Sequence, residues 1–398
     1  VGAVGTANSY IGIFIIMFSI ISSGMVSVMT QNIGAGRPGV AYQARQLGLL
    51  FNAVAGVLMA VFLFSGAGAI LRMVGIADAL YEPALIYLKI VGGGCILNAV
   101  IPIFSSYLRA FGYTKQPLYA TIVGNIANFV MNAVFLFVLH KGVAGVAAAT
   151  VISKILNLCI VLYFSHKLIS AKNSTERIAN KTVLGQIVKV GLPSACETAL
   201  YNVAMMLVIR FLNQMDAEGL NVTARSYTAT ISNFSYCVGA ALAQANAIMT
   251  GWHIGAGELE ECDRGTKRAA FVGVCVAVCM ETAIVLGSGF IMPLFTDNPE
   301  MTALVRKLLA IDIVLEIGRV TNLVFGQALK TSGDAVFPAV IAAVFMFVFA
   351  VGGTWLFGIS MGLMAVGAYI GLASDECVRA VGMVWRWKTG KWRTKKLV

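Results

Sequence analysis

The chain has 398 residues, 59% hydrophobic and only 12% charged, with a net charge of +11 and a mean hydropathy of +0.83. A soluble domain carries about 25% charged residues, so this composition excludes a soluble globular protein and makes lipid the solvent for most of the surface. The positive charge sits in short loops and at the C-terminus rather than in one basic patch, which argues against a nucleic-acid partner.

A bilayer crossing takes about 20 mostly apolar residues. Runs of this kind are predicted at 8–29, 46–67, 84–104, 117–139, 142–165, 190–213, 223–249, 268–288, 303–326, 336–357 and 362–384. Run 117–139 carries Thr121, Asn125, Asn128 and Asn132 at helical spacing. In lipid such a stripe faces either another helix or a water-filled cavity. Run 142–165 holds Lys154 near its middle. Segment 166–185 is basic and polar and reads as a linker.

Run 190–213 opens with Gly191-Leu192-Pro193 and places Glu197, Tyr201 and Met205 on one face. Proline in a first helical turn costs little, because the missing N–H would be unpaired there anyway. Run 223–249 bears a polar stripe of Ser226, Thr230, Asn233 and Gln244. Glu281 lies towards the end of run 268–288, where it could snorkel or pair with Arg210 or Arg225. Run 303–326 carries Asp312, Glu316 and Arg319 on one face, with Glu316 close to mid-span. An ionisable group inside a span demands a partner or a function. These three read either as a cation or proton site or as a Glu316–Arg319 pair that locks helices together. Asp375, Glu376 and Arg379 in run 362–384 read as a self-satisfying set. The tail 385–398 mixes Trp385, Trp387 and Trp392 with basic residues and is expected to anchor at an anionic lipid surface.

Loop charge gives an orientation. Lys and Arg concentrate in windows 30–45, 105–116, 166–185, 250–268, 327–335 and 385–398. In the alternate windows 68–83, 140–141, 214–221, 289–302 and 358–361, Arg72 and Lys141 are the only Lys or Arg. The positive-inside rule puts the first set, and the C-terminus, in the cytoplasm.

The chain also repeats. Ile33-Gly34-Ala35-Gly36 returns as Ile254-Gly255-Ala256-Gly257, and Leu108, Gly112 and Pro117 return as Leu329, Gly333 and Pro338. Gly142–Ala148 returns one residue out of step as Gly362–Ala368. Internal repeats in a very apolar chain are a signature of secondary transporters. Val1 aligns with Val222, so run 190–213 has no counterpart upstream, and the repeat predicts that a first helix and its leader are missing before Val1. A complete protein would have two parallel six-helix lobes. The predicted organisation is an N-terminal lobe at 1–165, a cytoplasmic linker at 166–185, a C-terminal lobe at 186–384 and a basic tail at 385–398.

The eight cysteines form no CxxC pair and read as packing residues. His140, His166 and His253 lie apart in sequence, and no HExxH is present, so an enzyme is not expected.

In sequence order, Gln31-Asn32-Ile33-Gly34-Ala35-Gly36-Arg37, Leu108-Arg109-Ala110-Phe111-Gly112 with Pro117, Gly191-Leu192-Pro193, Glu316-Ile317-Gly318-Arg319 and Asp375-Glu376 with Arg379, Arg386-Trp387 and Gly390-Lys391-Trp392 resemble the motifs of the multidrug and toxic-compound extrusion (MATE) transporters. The resemblance covers the whole chain. It implies an all-α membrane fold whose two lobes form a V-shaped cavity, alternating access, and export of small cationic amphipathic compounds driven by inward Na⁺ or H⁺, with no bound cofactor. Some members place coupling acids in the seventh and tenth helices, which here points to Glu197, Asp312 and Glu316. Others use an Asp in the first helix, and many carry an acid in the fifth, where this chain has Asn132. The candidate substrate-cavity residues are Tyr201, Met205, Asn125, Asn128, Asn132, Asn233, Gln244 and Arg319. A monomer in the bacterial cytoplasmic membrane, in contact with lipid, is expected. A lipid-linked-substrate flippase of related fold is the alternative, as is a non-transporting fragment if the first helix is absent.

Overall fold

The computed structural model describes residues 18, 20–73, 78–169, 176–216 and 219–398. Among these residues the chain is helical and contains no strand. In chain order the helices are α1 (20–34), α2 (Pro38–Met73), α3 (Asp78–Gly93), α4 (Cys95–Ala110), α5 (Lys115–Ala133), α6 (Gly142–Leu168), α7 (Asn180–Met215), α8 (Leu220–Ala256), α9 (Leu259–Ile291), α10 (Pro299–Thr331), α11 (Val336–Phe345) and α12 (Met364–Lys388). α3 and α4 are one crossing interrupted at Gly94. α5 and α11 each continue in wider π turns, through Val134–Val138 and, for α11, to Ser360. The predicted runs from 46–67 onward each fall within one of these crossings to within two residues at their ends; residues 8–17 and 19 of the first run lie outside the described residues.

The repeat is visible in the backbone. Gly36 and Gly257 both have left-handed φ, 74° and 80°, and so do Gly112 and Gly333, at 85° and 96°. Only glycine takes this conformation without a steric penalty. Each glycine closes its helix with the same pair of hydrogen bonds. In the first pair, Gly36 N donates to Ile33 O (3.1 Å) and Arg37 N to Asn32 O (2.8 Å), matching Gly257 N to Ile254 O (3.2 Å) and Glu258 N to His253 O (2.8 Å). The shared sequence thus encodes a shared helix-to-helix turn.

Among the described residues seven crossings are long and apolar enough to span a bilayer: Pro38–Arg72, Leu80–Ala110, Lys115–Val138, Gly142–Leu168, Asn180–Met215, Leu259–Leu294 and Val336–Ser360. Their large apolar residues stand exposed, as at Phe129, Phe137, Leu286 and Phe290, where lipid would cover them. α8, α10 and α12 fall outside that set. They are the polar helices of the C-terminal half, and they pack on one another.

Contacts divide the chain into Val1–Ala195 and Cys196–Val398, a boundary inside α7. The first half of α7 belongs to the first unit because it lies directly against α1. A Cβ on Gly24 would collide with the carbonyl of Ile187, and one on Gly191 with that of Ile20. The first unit's core joins Leu63 and Leu71 of α2, Leu88 and Val91 of α3, Cys95 and Ala99 of α4 and Ala147 of α6.

Among the described residues the second unit has two large apolar clusters, besides a small one of Ala204, Ala342 and Met346. One is built around Val208, Ile231, Val305, Leu308, Leu315 and Tyr369, the other around Ala243, Val320, Val324, Phe325, Met383 and Trp387. Close helix approach holds it together: Gly239 of α8 and Gly273 of α9 leave room for Val320, and Gly353 of α11 lies on Gly371 of α12. A polar layer separates the two large clusters.

The tail corrects an expectation. Trp387 and Trp392 are buried and stacked, 4.2 Å apart and 9° from parallel. Trp387 Nε1 donates to Asp263 Oδ1 at 2.7 Å, and Trp392 Nε1 donates to the Trp387 carbonyl at 3.0 Å. Only Trp385 of the three stays exposed. Burying two indoles, each with its N–H satisfied, makes the tail part of the core around α9, α10 and α12 rather than a lipid anchor.

Candidate functional site

α10 positions three charged groups in the polar layer. Asp312 and Glu316 are buried, at 2% and 0% exposure, one turn apart on the face turned to α8, α9 and α12. Arg319 is bonded to Glu316 and lies 3.7 Å from Glu376 Oε1 of α12. Its guanidinium also sits 5.7 Å from the Tyr236 ring centre, a cation–π distance. Glycine at 318 allows this: a Cβ there would come within 2.7 Å of Cys377 N and 2.8 Å of the Glu376 carbonyl carbon. α10 and α12 therefore touch backbone to backbone, one residue from Arg319.

On α12, Arg379 binds Asp375 at 2.6 Å and Glu376 at 2.8 Å. The Asp375–Glu376–Arg379 set thus pairs internally, as expected, but is not closed. Glu376 also accepts from Asn322 Nδ2 at 3.0 Å and reaches Arg319, tying α12 to α10.

Glu281 of α9 was expected to snorkel or to pair with Arg210 or Arg225, and the structure places it elsewhere. It is fully buried, neither carboxylate oxygen is hydrogen-bonded, and it shares the electrostatic neighbourhood of Asp312, Glu316 and Ser235. The helical phase of α9 turns it inward, and neither arginine pairs with it.

A cavity of about 340 Å³ opens in this layer. Tyr201 and Met205 of α7, Arg225, Ser232, Asn233 and Tyr236 of α8, Asp312 and Arg319 of α10, and Tyr369, Asp375 and Glu376 of α12 line it. Arg225 Nη2 lies 3.7 Å from Met205 Sδ. Asp312 Oδ2 and Glu316 Oε2 are buried without a hydrogen bond. A second cavity of about 270 Å³ shares Tyr201, Tyr236, Arg319 and Glu376 and extends to Glu197 and Lys330. There Glu197 is paired with Lys330 of α10 at 2.7 Å.

Charge around the first cavity does not balance. Glu281, Asp312, Glu316, Asp375 and Glu376 face Arg225, Arg319 and Arg379. With every group ionised, the carboxylates exceed the guanidinium groups by two. Buried carboxylates are costly unless they are paired or protonated. This arrangement can take up protons or small cations, while Tyr201, Tyr236 and Met205 offer apolar and π surface to a larger organic cation.

Of the predicted residues, Tyr201, Met205, Asn233, Asp312 and Arg319 come together at the first cavity, with Glu316 buried behind it. Glu197 reaches the second cavity. Asn125 and Asn128 line a separate pocket in the first unit, and Asn132 donates to Asn128 at 3.0 Å. Gln244 is exposed on α8, away from both second-unit cavities. Sequence reasoning missed Glu281, Tyr236, Tyr369 and Arg225 as members of the site. The one available signal was that Glu281 is ionisable inside a span; which way it faces is settled by the packing of α9.

The MatE family model matches residues 1–134 and 193–356. Among curated proteins, the chain is 31% identical to the uncharacterized transporter YisQ of Bacillus subtilis (strain 168), covering 99% of this chain and 88% of that protein. It is 23% identical to the probable multidrug resistance protein YoeA of the same organism, covering 86% and 76%. Among solved structures it superposes, with a TM-score of 0.88 at 20% identity, on a multidrug resistance MATE family transporter of the MOP superfamily in an outward-facing conformation. That match covers 98% of this chain and 88% of the other.

Proposed function

The chain belongs to the MatE family of multi-pass membrane transporters, and from that premise we propose that it exports small cationic amphipathic compounds, driven by inward movement of Na⁺ or H⁺. The surplus of carboxylates around the second unit's cavity carries this reading. Asp312 and Glu316 are the coupling groups. When a proton or metal cation arrives, Glu316 is neutralised, its hold on Arg319 weakens, and Arg319 moves its charge towards Glu376. Substrate and coupling ion then compete for the same negative charge, which is the thermodynamic basis of exchange. Glu197, already neutralised by Lys330, tunes the neighbouring cavity. The loop charges support a cytoplasmic C-terminus, with a bacterial cytoplasmic membrane as the setting of this proposal.

The test is dye efflux from proteoliposomes holding the purified protein, with an imposed Na⁺ or H⁺ gradient. One gradient should drive uphill movement of a cationic dye. Failure of both gradients to drive it overturns the reading.

A further inference from the structure

The first unit holds a pocket of opposite character. Asn125, Asn128, Thr150, Ser153, Lys154 and Asn157 of α5 and α6 line about 200 Å³ near the middle of both helices. Lys154 Nζ donates to Asn98 Oδ1 of α4 at 2.7 Å, and no ion pair involves it among the described residues. An ammonium has three donors, so this one retains hydrogen-bonding capacity. Most other polar groups here are already engaged. Thr150 Oγ1 donates to Val146 O at 2.9 Å, Ser153 Oγ donates to Thr150 O at 2.9 Å, and Asn128 Oδ1 accepts from Asn132. What faces the open volume is a cation with the amides of Asn125 and Asn157, and no carboxylate.

A lysine inside a membrane crossing demands a reason. A pocket with one positive charge and amide donors repels a cation and attracts an oxyanion. Its volume suits a single carboxylate-sized group, not a whole drug-sized molecule. We infer that the α5–α6 pocket is an anion subsite that binds the carboxylate of an organic solute through Lys154. This deepens the export reading above, although binding can be measured without transport.

The experiment uses the purified protein and a matched pair of fluorescent xanthene dyes, one with a free carboxylate and the other its methyl ester. Binding of each is followed by anisotropy for the wild type, Lys154→Met and Lys154→Arg. Losing one charge-assisted hydrogen bond should weaken free-acid binding by about tenfold or more in Lys154→Met. Lys154→Arg keeps the charge and should stay within about threefold of wild type. The ester should bind all three proteins alike, which also reports that the variants are folded. Unchanged free-acid binding in Lys154→Met overturns the inference, and so does equal weakening of acid and ester in that variant. If the acid-specific loss appears but neither gradient drives efflux, the anion subsite stands and the export reading falls.

Discussion

Removing Arg319 should destabilise the second unit, and removing Glu316 with it should restore part of the loss. Arg319 bonds to Glu316, lies 3.7 Å from Glu376 and is only 23% exposed at its side chain. A pair at about that separation is worth roughly 4 kcal/mol gross at an effective dielectric of about 20. Contact with the cavity reduces this, leaving a net cost of about 2–3 kcal/mol for Arg319→Met, since Glu316 would remain buried without its cation. Glu316→Gln alone should cost about 1 kcal/mol, because an amide still hydrogen-bonds to the guanidinium. In the double variant no charge is stranded at this pair, so its loss should fall below the sum of the single losses by about 1–2 kcal/mol. The assay is thermal unfolding in detergent, followed by intrinsic fluorescence, across the four proteins of the cycle. Strictly additive losses, or wild-type stability for Arg319→Met, would refute the buried-pair argument.

Three further outcomes follow from the packing and the loops. Gly318→Val puts side-chain atoms against the backbone of Glu376 and Cys377, so it should force α10 and α12 apart, lower the unfolding midpoint by about 1–3 kcal/mol equivalent and reduce efflux. Gly265→Ala, a helical glycine with no neighbour within 4 Å of its added Cβ, serves as the control. Trp392→Ala removes the stack on Trp387 and should cost about 3 kcal/mol; a neutral result would return the tail to the role of lipid anchor. Asp216 caps the start of α8, accepting from Leu220 N at 2.9 Å and Asn221 N at 3.0 Å. Slight burial pushes its carboxyl up, but the hydrogen bonds from Asn221, Leu220 and Gly219 outweigh this and hold it below the usual carboxylate range. A depressed folded-state value means that the stabilisation is present above the ordinary carboxylate range and is lost as pH falls through the folded value. Asp216→Ala should therefore cost about 0.5–1 kcal/mol at pH 7 and progressively less as pH falls below the ordinary carboxylate range. A pH-independent loss would show that the carboxylate is not the cap.

What was legible in the sequence is what depends on short spacing. Asp312, Glu316 and Arg319 lie at helical intervals, so their common face follows from periodicity, and the structure places the two acids at adjoining buried positions. The repeat was legible because Gly36, Gly112, Gly257 and Gly333 occupy turns that need left-handed backbone. Glu281 was not legible, because its direction depends on how α9 packs against α8 and α10, and periodicity does not report that. Trp387 and Trp392 misled for a related reason. Aromatic residues among lysines and arginines have the composition of a membrane interface, yet the chain folds back at Gly390 and the two rings stack. The asparagine face of α5 was visible, but its partners on α6 were not, since Ser153 and Asn128 are 25 residues apart.

Coupling can be separated from substrate recognition in a single measurement. Proteoliposomes carrying wild type or Glu316→Gln are assayed twice with the same cationic dye, once for counterflow exchange without an ion gradient and once for uphill efflux under the driving gradient. If Glu316 couples ion to substrate, Glu316→Gln keeps counterflow near the wild-type rate and loses uphill efflux. Uphill efflux by Glu316→Gln at the wild-type rate would contradict that assignment.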